Sequence, residues 1–186
     1  NYGDAVTLQE DVNLGINDSD NLVVSAENVT LDLNANTVTA NGSNGAINVT
    51  GGSTTITGNG TVAATLGSDN YSMAIWASEG TVIIDNGTFQ NATDGSARGT
   101  DLVYVSGTGQ VIINGGTFIA AKPEWTLNCK DADYKAGTAN IIVAGSAIFN
   151  GNIQENVAML FGMCLFVGLN YIGQRFFVFK GKKESE

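Results

Sequence analysis

The residues most able to do chemistry gather in one stretch, residues 121–137, which reads AKPEWTLNCKDADYKAG. It holds two aromatic rings, Trp125 and Tyr134, and two neighbouring carboxylates, Asp131 and Asp133. Aromatic rings present a flat apolar face on which a sugar ring stacks, and carboxylates accept hydrogen bonds from hydroxyls. These four residues are therefore candidate carbohydrate contacts. The alternative is that Trp125 covers an edge of the core and that the acids are simply solvated.

Tyr104 is a further candidate contact because of its place in the run LVYVS. Side chains of an extended strand alternate between its two faces. Tyr104 is therefore expected to point away from the side occupied by Val103 and Val105. The same alternation predicts that Trp76, in the run MAIWA, points inward and belongs to the core.

Groups that could transfer protons are scarce. Histidine is absent and charged residues make up only 14% of the chain, which removes the commonest general base. Asp85 is followed one repeat later by Asn114, so this position offers no carboxylate pair for glycoside cleavage. Arg98 and Asp101 are close in sequence and are interpreted as a solvated pair in a turn.

The sequence predicts no metal site and no cofactor. Two cysteines without a histidine cannot build a zinc finger. The acids Asp18 and Asp20 in INDSDN imitate a calcium loop, but the glycine and the terminal glutamate of the EF-hand pattern are missing. The net charge of −10 repels phosphates, which disfavours nucleic acid as a partner.

The elements that must position these residues follow a repeat that lengthens along the chain. Each unit ends in an apolar residue just after an asparagine or glycine turn, with spacings of 24, 27, 29 and 31 residues; these end residues are Val38, Val62, Phe89, Phe118 and Phe149. Each unit also has an earlier strand, and the starts of these strands are 24, 27 and 29 residues apart, which are the first three spacings again. They start at Leu22, Ala46, Met73 and Leu102. Both strands therefore belong to one growing unit. Residues 121–137 are expected to interrupt this pattern as an insertion.

Units of this length are typical of stacked architectures, in which like residues of successive turns lie over one another. The chain, at 186 residues, is long enough for one domain and an appendage. We predict an all-β fold over residues 1–152, a parallel solenoid with an internal ladder of the five end residues. A second ladder is predicted from Ile47 and Val49 to Ala74 and Trp76, and on to Val103 and Val105. An antiparallel β-sandwich is the alternative, although it does not explain the coordinated lengthening.

In this pattern the chain resembles the right-handed parallel β-helix of pectin-lyase-like proteins, over about residues 5 to 152. The coils GTVIIDNGTF and GQVIINGGTF, with the following PEWTLNCKDADYKAGTANIIV, look further like modules of phage tail fibres and spikes and of surface proteins of their hosts. The resemblance implies an elongated display or glycan-binding body.

The composition changes after Asn152. Residues 157–179 read VAMLFGMCLFVGLNYIGQRFFVF, of which the first 13 carry no polar side chain. A bilayer crossing needs about 20 such residues, so residues 153–186 are predicted to form a C-terminal transmembrane α-helix with a basic tail. The lysines of KGKK place the C-terminus in the cytoplasm and the β-helix outside. The alternative is a hydrophobic helix that caps the last coil or packs in an oligomer.

The run GLNYIGQRFFVFKGKK resembles the end of the last transmembrane helix in GtrA-like membrane proteins, a family linked to moving lipid-attached sugars for surface polysaccharide synthesis. Asn170, Gln174 and Arg175, with Phe176 and Phe179, follow that family's pattern before its basic end. The likeness covers about 30 residues, and the family's earlier spans are missing, so its transport activity does not carry over.

Three functions of different classes are consistent with the sequence. The favoured expectation is an extracellular adhesion or display module, not an enzyme, that binds a carbohydrate or cell-surface ligand. It is expected to be anchored in a bilayer, or to belong to a phage fibre in the virion tail, with a homo-oligomer left open as its assembly. The first alternative is a GtrA-like component of polysaccharide biosynthesis. The second is a polysaccharide lyase or hydrolase, in which Asp131 and Asp133 would be the acids.

Overall fold

A computed structural model describes residues 3–15, 17, 19–40, 45–64, 73–91, 101–120, 125–131 and 138–150. Within these residues the chain forms fifteen strands, which in chain order are β1 (Ala5–Thr7), β2 (Val12–Asn13), β3 (Leu22–Val24), β4 (Val29–Asp32), β5 (Thr37–Ala40), β6 (Ile47–Thr57), β7 (Thr61–Ala64), β8 (Ile75–Ile84), β9 (Thr88–Asn91), β10 (Asp101–Gly107), β11 (Gln110–Ile113), β12 (Thr117–Ala120), β13 (Trp125–Asp131), β14 (Asn140–Val143) and β15 (Ile148–Asn150).

The strands pair in parallel into one sheet of nine strands and one of six, and together they make a parallel β-solenoid of about four turns. Strands β6 and β8 run through a corner, so each turn has three faces. The first face contains β3, β10, β13 and the N-terminal parts of β6 and β8. The second contains β1, β4, β11, β14 and the C-terminal parts of β6 and β8. The third is the six-stranded sheet of β2, β5, β7, β9, β12 and β15.

These segments form strands because threonine, valine and isoleucine alternate along them, which suits a pleated surface with one face buried. The corners require small residues where turns of the solenoid lie close together. At Gly80 the backbone has a φ of +77°, and an added Cβ would lie 2.5 Å from the carbonyl carbon of Gly51 in the turn below. Only glycine fits both conditions at this corner.

The predicted internal ladder on the third face is confirmed residue by residue. Val38 pairs with Val62, Val62 with Phe89, Phe89 with Phe118, and Phe118 with Phe149. The three phenylalanine rings are stacked, with centroids 5.1 Å apart at each step. The parallel solenoid is thereby established, whereas its right-handed sense and a pectin-lyase-like relationship stay predictions.

The predicted ladder on the first face is wrong by one residue in its middle rung. Ile47 pairs with Ile75 and then Ile75 with Val103, so that Ile75 and not Ala74 lies in this column. Trp76 consequently stands on the outward side and is only partly buried, instead of forming part of the core. The alternation of inward and outward side chains does not hold at this corner, because the consecutive residues Met73, Ala74 and Ile75 are all fully buried. It therefore could not predict the direction of Trp76.

The interior is a narrow apolar column filled from all three faces. Its largest fully buried side chains include Phe89, Phe118, Leu33, Ile47, Ile56, Ile84, Leu102 and Ile113. Burial of such side chains stabilises a fold by about 1.5–3 kcal/mol each. Thr54 is the polar exception on the second face, fully buried between Val29 and Val82 in the same register.

Residues 125–131 correct a second expectation, because they continue the coil pattern and do not interrupt it. They form β13, which pairs in parallel with β10 along almost its whole length. The sequence contains a strand pattern here, because Trp125, Leu127 and Cys129 alternate with polar residues. The charged residues around this pattern made it difficult to recognise.

The C-terminal segment 153–186, with its predicted transmembrane helix, lies outside the described residues. Among the residues that the structure describes, no helix has the length and apolar character needed to cross a bilayer.

Candidate functional site

An outward column on the first face brings two aromatic side chains between two amides. Asn48 of β6 pairs with Trp76 of β8, Trp76 with Tyr104 of β10, and Tyr104 with Asn128 of β13. Neighbouring strands lie about 4.8 Å apart, so the four side chains form a continuous stripe parallel to the solenoid axis. We call these four residues the aromatic column.

The two rings of the aromatic column are in contact, and a hydrogen bond holds the Trp76 ring. The centroids of Trp76 and Tyr104 are 6.0 Å apart, with the ring planes at 37°. The indole Nε1 of Trp76 donates a hydrogen bond to Ser106 Oγ at 2.9 Å. Both rings are partly exposed. They therefore offer a fixed apolar patch whose orientation does not depend on a ligand.

The amides at the ends of the aromatic column are also held in place. Asn48 is only 9% exposed, and its Oδ1, at 3.4 Å, shares the hydroxyl hydrogen of Ser78 with the carbonyl oxygen of Val49, at 3.3 Å. At the other end, Asn128 Nδ2 donates to Asp101 Oδ2 at 3.0 Å. Because a carboxylate only accepts hydrogen bonds, this contact fixes which side of the Asn128 amide faces Asp101.

Asp101 differs from its predicted setting as a solvated turn residue. It begins β10 and is 4% exposed, and its main-chain carbonyl accepts a hydrogen bond from the buried Asn91 side chain at 3.5 Å. Arg98, its predicted partner, lies outside the described residues. Asp101 is thus a buried carboxylate directly beside the aromatic column, in register with Trp125.

The structure separates the residues that the sequence grouped together. Trp125 and Asp131 lie at opposite ends of the seven-residue strand β13, about 20 Å apart, so they cannot contact one sugar ring together. Trp125 is 47% exposed, and Asp131 pairs with Gly107 through the backbone. Asp133 and Tyr134 lie outside the described residues. Tyr104 points outward as predicted, and its neighbour is Trp76.

Sequence reasoning missed three of the four residues of the aromatic column, namely Asn48, Trp76 and Asn128. Each lies within a strand, Asn48 and Trp76 as its second residue, and has no motif of its own. The available signal was their spacing from Tyr104, since they recur on the outward side of successive turns.

Carboxylates and amides also line the corner between the second and third faces. Asn114 Nδ2 donates to Asp85 Oδ1 at 2.8 Å, and Asn86 Nδ2 donates to Asn59 Oδ1 at 2.8 Å in the turn below. Asp85 is therefore engaged with an amide of the next turn. These contacts tie successive turns together and satisfy the polar groups of the corner.

Within the described part of the chain, no three His, Cys, Asp or Glu side chains come together in a way that could hold a metal ion. The aromatic column offers a ligand noncovalent contacts. It combines stacking on two rings with hydrogen bonds from fixed amide and hydroxyl groups.

The chain has no match among protein-family models, among curated proteins or among solved structures.

Proposed function

We propose that the solenoid is a surface display module that binds carbohydrate through the aromatic column. The contact between Trp76 and Tyr104 carries this proposal, because two adjoining rings provide an apolar area on which a pyranose ring stacks. The flanking groups of Asn128 and Ser106 supply the polar contacts that orient hydroxyls.

The aromatic column suits an extended ligand. Its four residues span three strand steps, about 14 Å along the axis, which exceeds the size of a single sugar. A neutral glycan fits the net charge of −10 better than a polyanion does, because the surrounding field repels anions. Trp125 is 47% exposed at the start of β13, but it alternates with Asn128 to the other side of the strand, so the proposed contact surface is the aromatic column.

The proposal places the module outside the cell. This location is inferred from the apolar run 157–179 and from the lysines that follow it. By the positive-inside rule, these lysines would put the C-terminus in the cytoplasm. A fibre in a virion tail would use the same binding face. In both settings the solenoid serves as a scaffold that projects the aromatic column from a surface.

Binding of the full chain to immobilised neutral oligosaccharides tests the proposal. We expect Tyr104→Ala to weaken binding at least tenfold, because the ligand loses the apolar contact area of the ring. A tenfold loss of affinity corresponds to about 1.4 kcal/mol of binding free energy. Gln90→Ala, on the third face, is the matched control and should bind like the wild type.

Circular dichroism of each variant separates loss of binding from loss of fold. The proposal fails when no neutral oligosaccharide binds. It also fails when a folded Tyr104→Ala variant binds with unchanged affinity. Release of reducing ends from a bound oligosaccharide would instead identify an enzyme.

A further inference from the structure

The outward side of the second face carries a column of isoleucines. Ile83 of β8 pairs with Ile112 of β11, and Ile112 pairs with Ile142 of β14. In β8 and β11 the residues before and after the isoleucine are fully buried, so alternation points each isoleucine outward. Ile83 and Ile112 are partly exposed, and Ile142 is 47% exposed. We call these three residues the isoleucine column.

The same outward position holds threonine in the two turns below. Thr55 of β6 pairs with Ile83, and Thr30 of β4 pairs with Thr55. Threonine suits the position because it is β-branched and its hydroxyl can stay in contact with water. The fold therefore accepts a polar side chain here, and the isoleucine column adds an apolar stripe that lies outside the core.

The isoleucine column lies in an uncharged part of an acidic chain. The neighbouring outward column, on the N-terminal side of the strands, is also uncharged and consists of Ser53, Thr81, Gln110 and Asn140. The chain as a whole has a net charge of −10. Two copies therefore repel each other least where these uncharged surfaces meet.

The outward column on the C-terminal side of the strands holds carboxylates. Asp32 follows Thr30 by two residues, and Asp85 follows Ile83 by two residues. Asp32 accepts a hydrogen bond from the main-chain nitrogen of an asparagine two residues later, and Asp85 accepts one from the side chain of Asn114. Like charges placed opposite each other across an interface are costly. A contact between two copies is therefore most favourable when it keeps the two carboxylate columns apart.

A two-fold axis parallel to the isoleucine column meets this condition. Each isoleucine of one copy then faces the same isoleucine of the other copy, as in any isologous contact. The rotation also exchanges the two flanking sides, so the carboxylate column of each copy faces the uncharged column of the other. A two-fold axis across the column at Ile112 would instead set carboxylate column against carboxylate column. It would also leave Thr55 and Thr30 beyond the end of the other copy's column.

We propose that the isoleucine column is the interface of a parallel homodimer, in which the second faces of two copies meet around this two-fold axis. Sheets packed face to face lie about 10 Å apart, a space that isoleucine side chains from both copies fill. The aromatic column lies on the first face and takes no part in the contact. The inference therefore does not depend on the proposed function.

The proposed interface is small. Three turns span only about 10 Å along the solenoid axis, so the contact is smaller than the about 800 Å² per partner of a standard interface. The dimer is therefore expected to be weak and to depend on protein concentration.

Cross-linking of the full chain in detergent tests the geometry. Cys129→Ser and Cys164→Ser first remove the two native thiols. One cysteine is then introduced at a time, as Ile83→Cys, Ile112→Cys or Ile142→Cys. A short bismaleimide should link two copies at each of these positions, because the two-fold axis runs along the whole isoleucine column.

Ile119→Cys is the matched control for cross-linking. Ile119 pairs with Gln90 on the third face, and it is partly exposed like Ile83 and Ile112. Since the third face lies outside the proposed interface, this variant should give little cross-linked dimer under the same conditions.

The double variant Ile83→Thr with Ile112→Thr tests whether the isoleucine side chains hold the dimer. Threonine already occupies this column at Thr30 and Thr55, so the solenoid should stay folded, which circular dichroism checks. Light scattering over a dilution series should give a dimer dissociation constant at least tenfold higher than that of the wild type, because both copies lose apolar contact. Ile119→Thr makes the same change on the third face and should leave the constant unchanged.

Each of three results would overturn the inference. The first is cross-linking that is no greater at position 112 than at position 119. The second is a dimer that persists unchanged in the double threonine variant, since another surface, such as the apolar run 157–179, would then hold it. The third is stronger linking in a mixture of Ile83→Cys and Ile142→Cys chains than in either alone, which would identify an antiparallel contact. Tyr104→Ala should leave the dimer unchanged, so failure here is distinct from failure of carbohydrate binding.

Discussion

Thr54 is a polar residue in an apolar position of the solenoid. It is fully buried in the column that contains Val29 and Val82, and its Oγ1 has no hydrogen-bond partner among the described residues. A buried hydroxyl without a partner costs about 1–3 kcal/mol relative to its solvated state. The threonine is therefore tolerated by the fold and does not stabilise it.

We expect Thr54→Val to raise the free energy of unfolding by about 1 kcal/mol, because valine has nearly the same shape and no hydroxyl to desolvate. Chemical denaturation followed by circular dichroism measures the change. Thr55→Val, at the neighbouring outward and partly exposed position, is the matched control and should change stability by less than about 0.5 kcal/mol. A loss of stability in Thr54→Val would show that the hydroxyl is satisfied in the folded protein.

Outward and inward directions could be predicted for some single residues and not for others. Tyr104 lies between Val103 and Val105. If the two valines point into the core, alternation along the strand requires Tyr104 to point outward, and the structure confirms this direction. Trp76 follows three consecutive buried residues at a corner, where the period of two does not hold. For this reason the sequence placed Trp76 in the core, and the ring contact with Tyr104 could not be anticipated.

At the scale of strands, the register could be predicted where a recognisable turn sequence comes before each strand. Each strand of the third face from β5 to β12 follows an asparagine or glycine turn and begins with threonine, and the threonines at 37, 61, 88 and 117 pair in order. On the first face the strands have no such marker, and β6 and β8 shift register between Val49 and Ser53. The register of the strands could therefore be predicted on the third face, where such turns precede the strands, and not on the first face.

The phenylalanine stack predicts an unequal effect of one substitution at two positions. Phe118 is fully buried between the rings of Phe89 and Phe149, whereas Phe149 is 38% exposed at the last described rung. Phe118→Ala should lower the free energy of unfolding by about 3–5 kcal/mol, the usual cost of a buried phenylalanine. Phe149→Ala should cost less than half of that, because it leaves a smaller cavity. Urea denaturation of both variants compares them, and equal losses would show that Phe149 is as buried in the folded protein as Phe118.

For the molecule as a whole, repetition of one turn is the feature on which the proposed scaffold function rests. The chain has 18 acids and 8 bases in 186 residues, and the buried Asp101 is engaged with Asn128 beside the aromatic column. Repetition of one turn gives a long surface with a regular spacing, which suits a polymer with a repeating structure. The residues proposed to bind a ligand lie on four different strands, so no local motif in the sequence identifies them.

The apolar run 157–179 carries the remaining prediction, which concerns attachment of the whole chain to a bilayer. The full chain should float with lipid vesicles on a density gradient and stay with them after an alkaline carbonate wash, as a spanning segment does. Introducing Leu165→Arg together with Phe166→Arg should leave the protein at the bottom of the gradient, because each arginine in the middle of a span costs about 2.5–3.5 kcal/mol.

The matched control for this test places the same two charges outside the run, as Gly181→Arg with Ser185→Arg, and should float like the wild type. Glycan binding by the variant with arginines at 165 and 166 shows whether the solenoid is still folded. A wild-type chain that stays at the bottom, or that carbonate releases from the vesicles, contradicts the anchoring proposal. It leaves the carbohydrate proposal untouched, because the aromatic column lies entirely on strands β6, β8, β10 and β13.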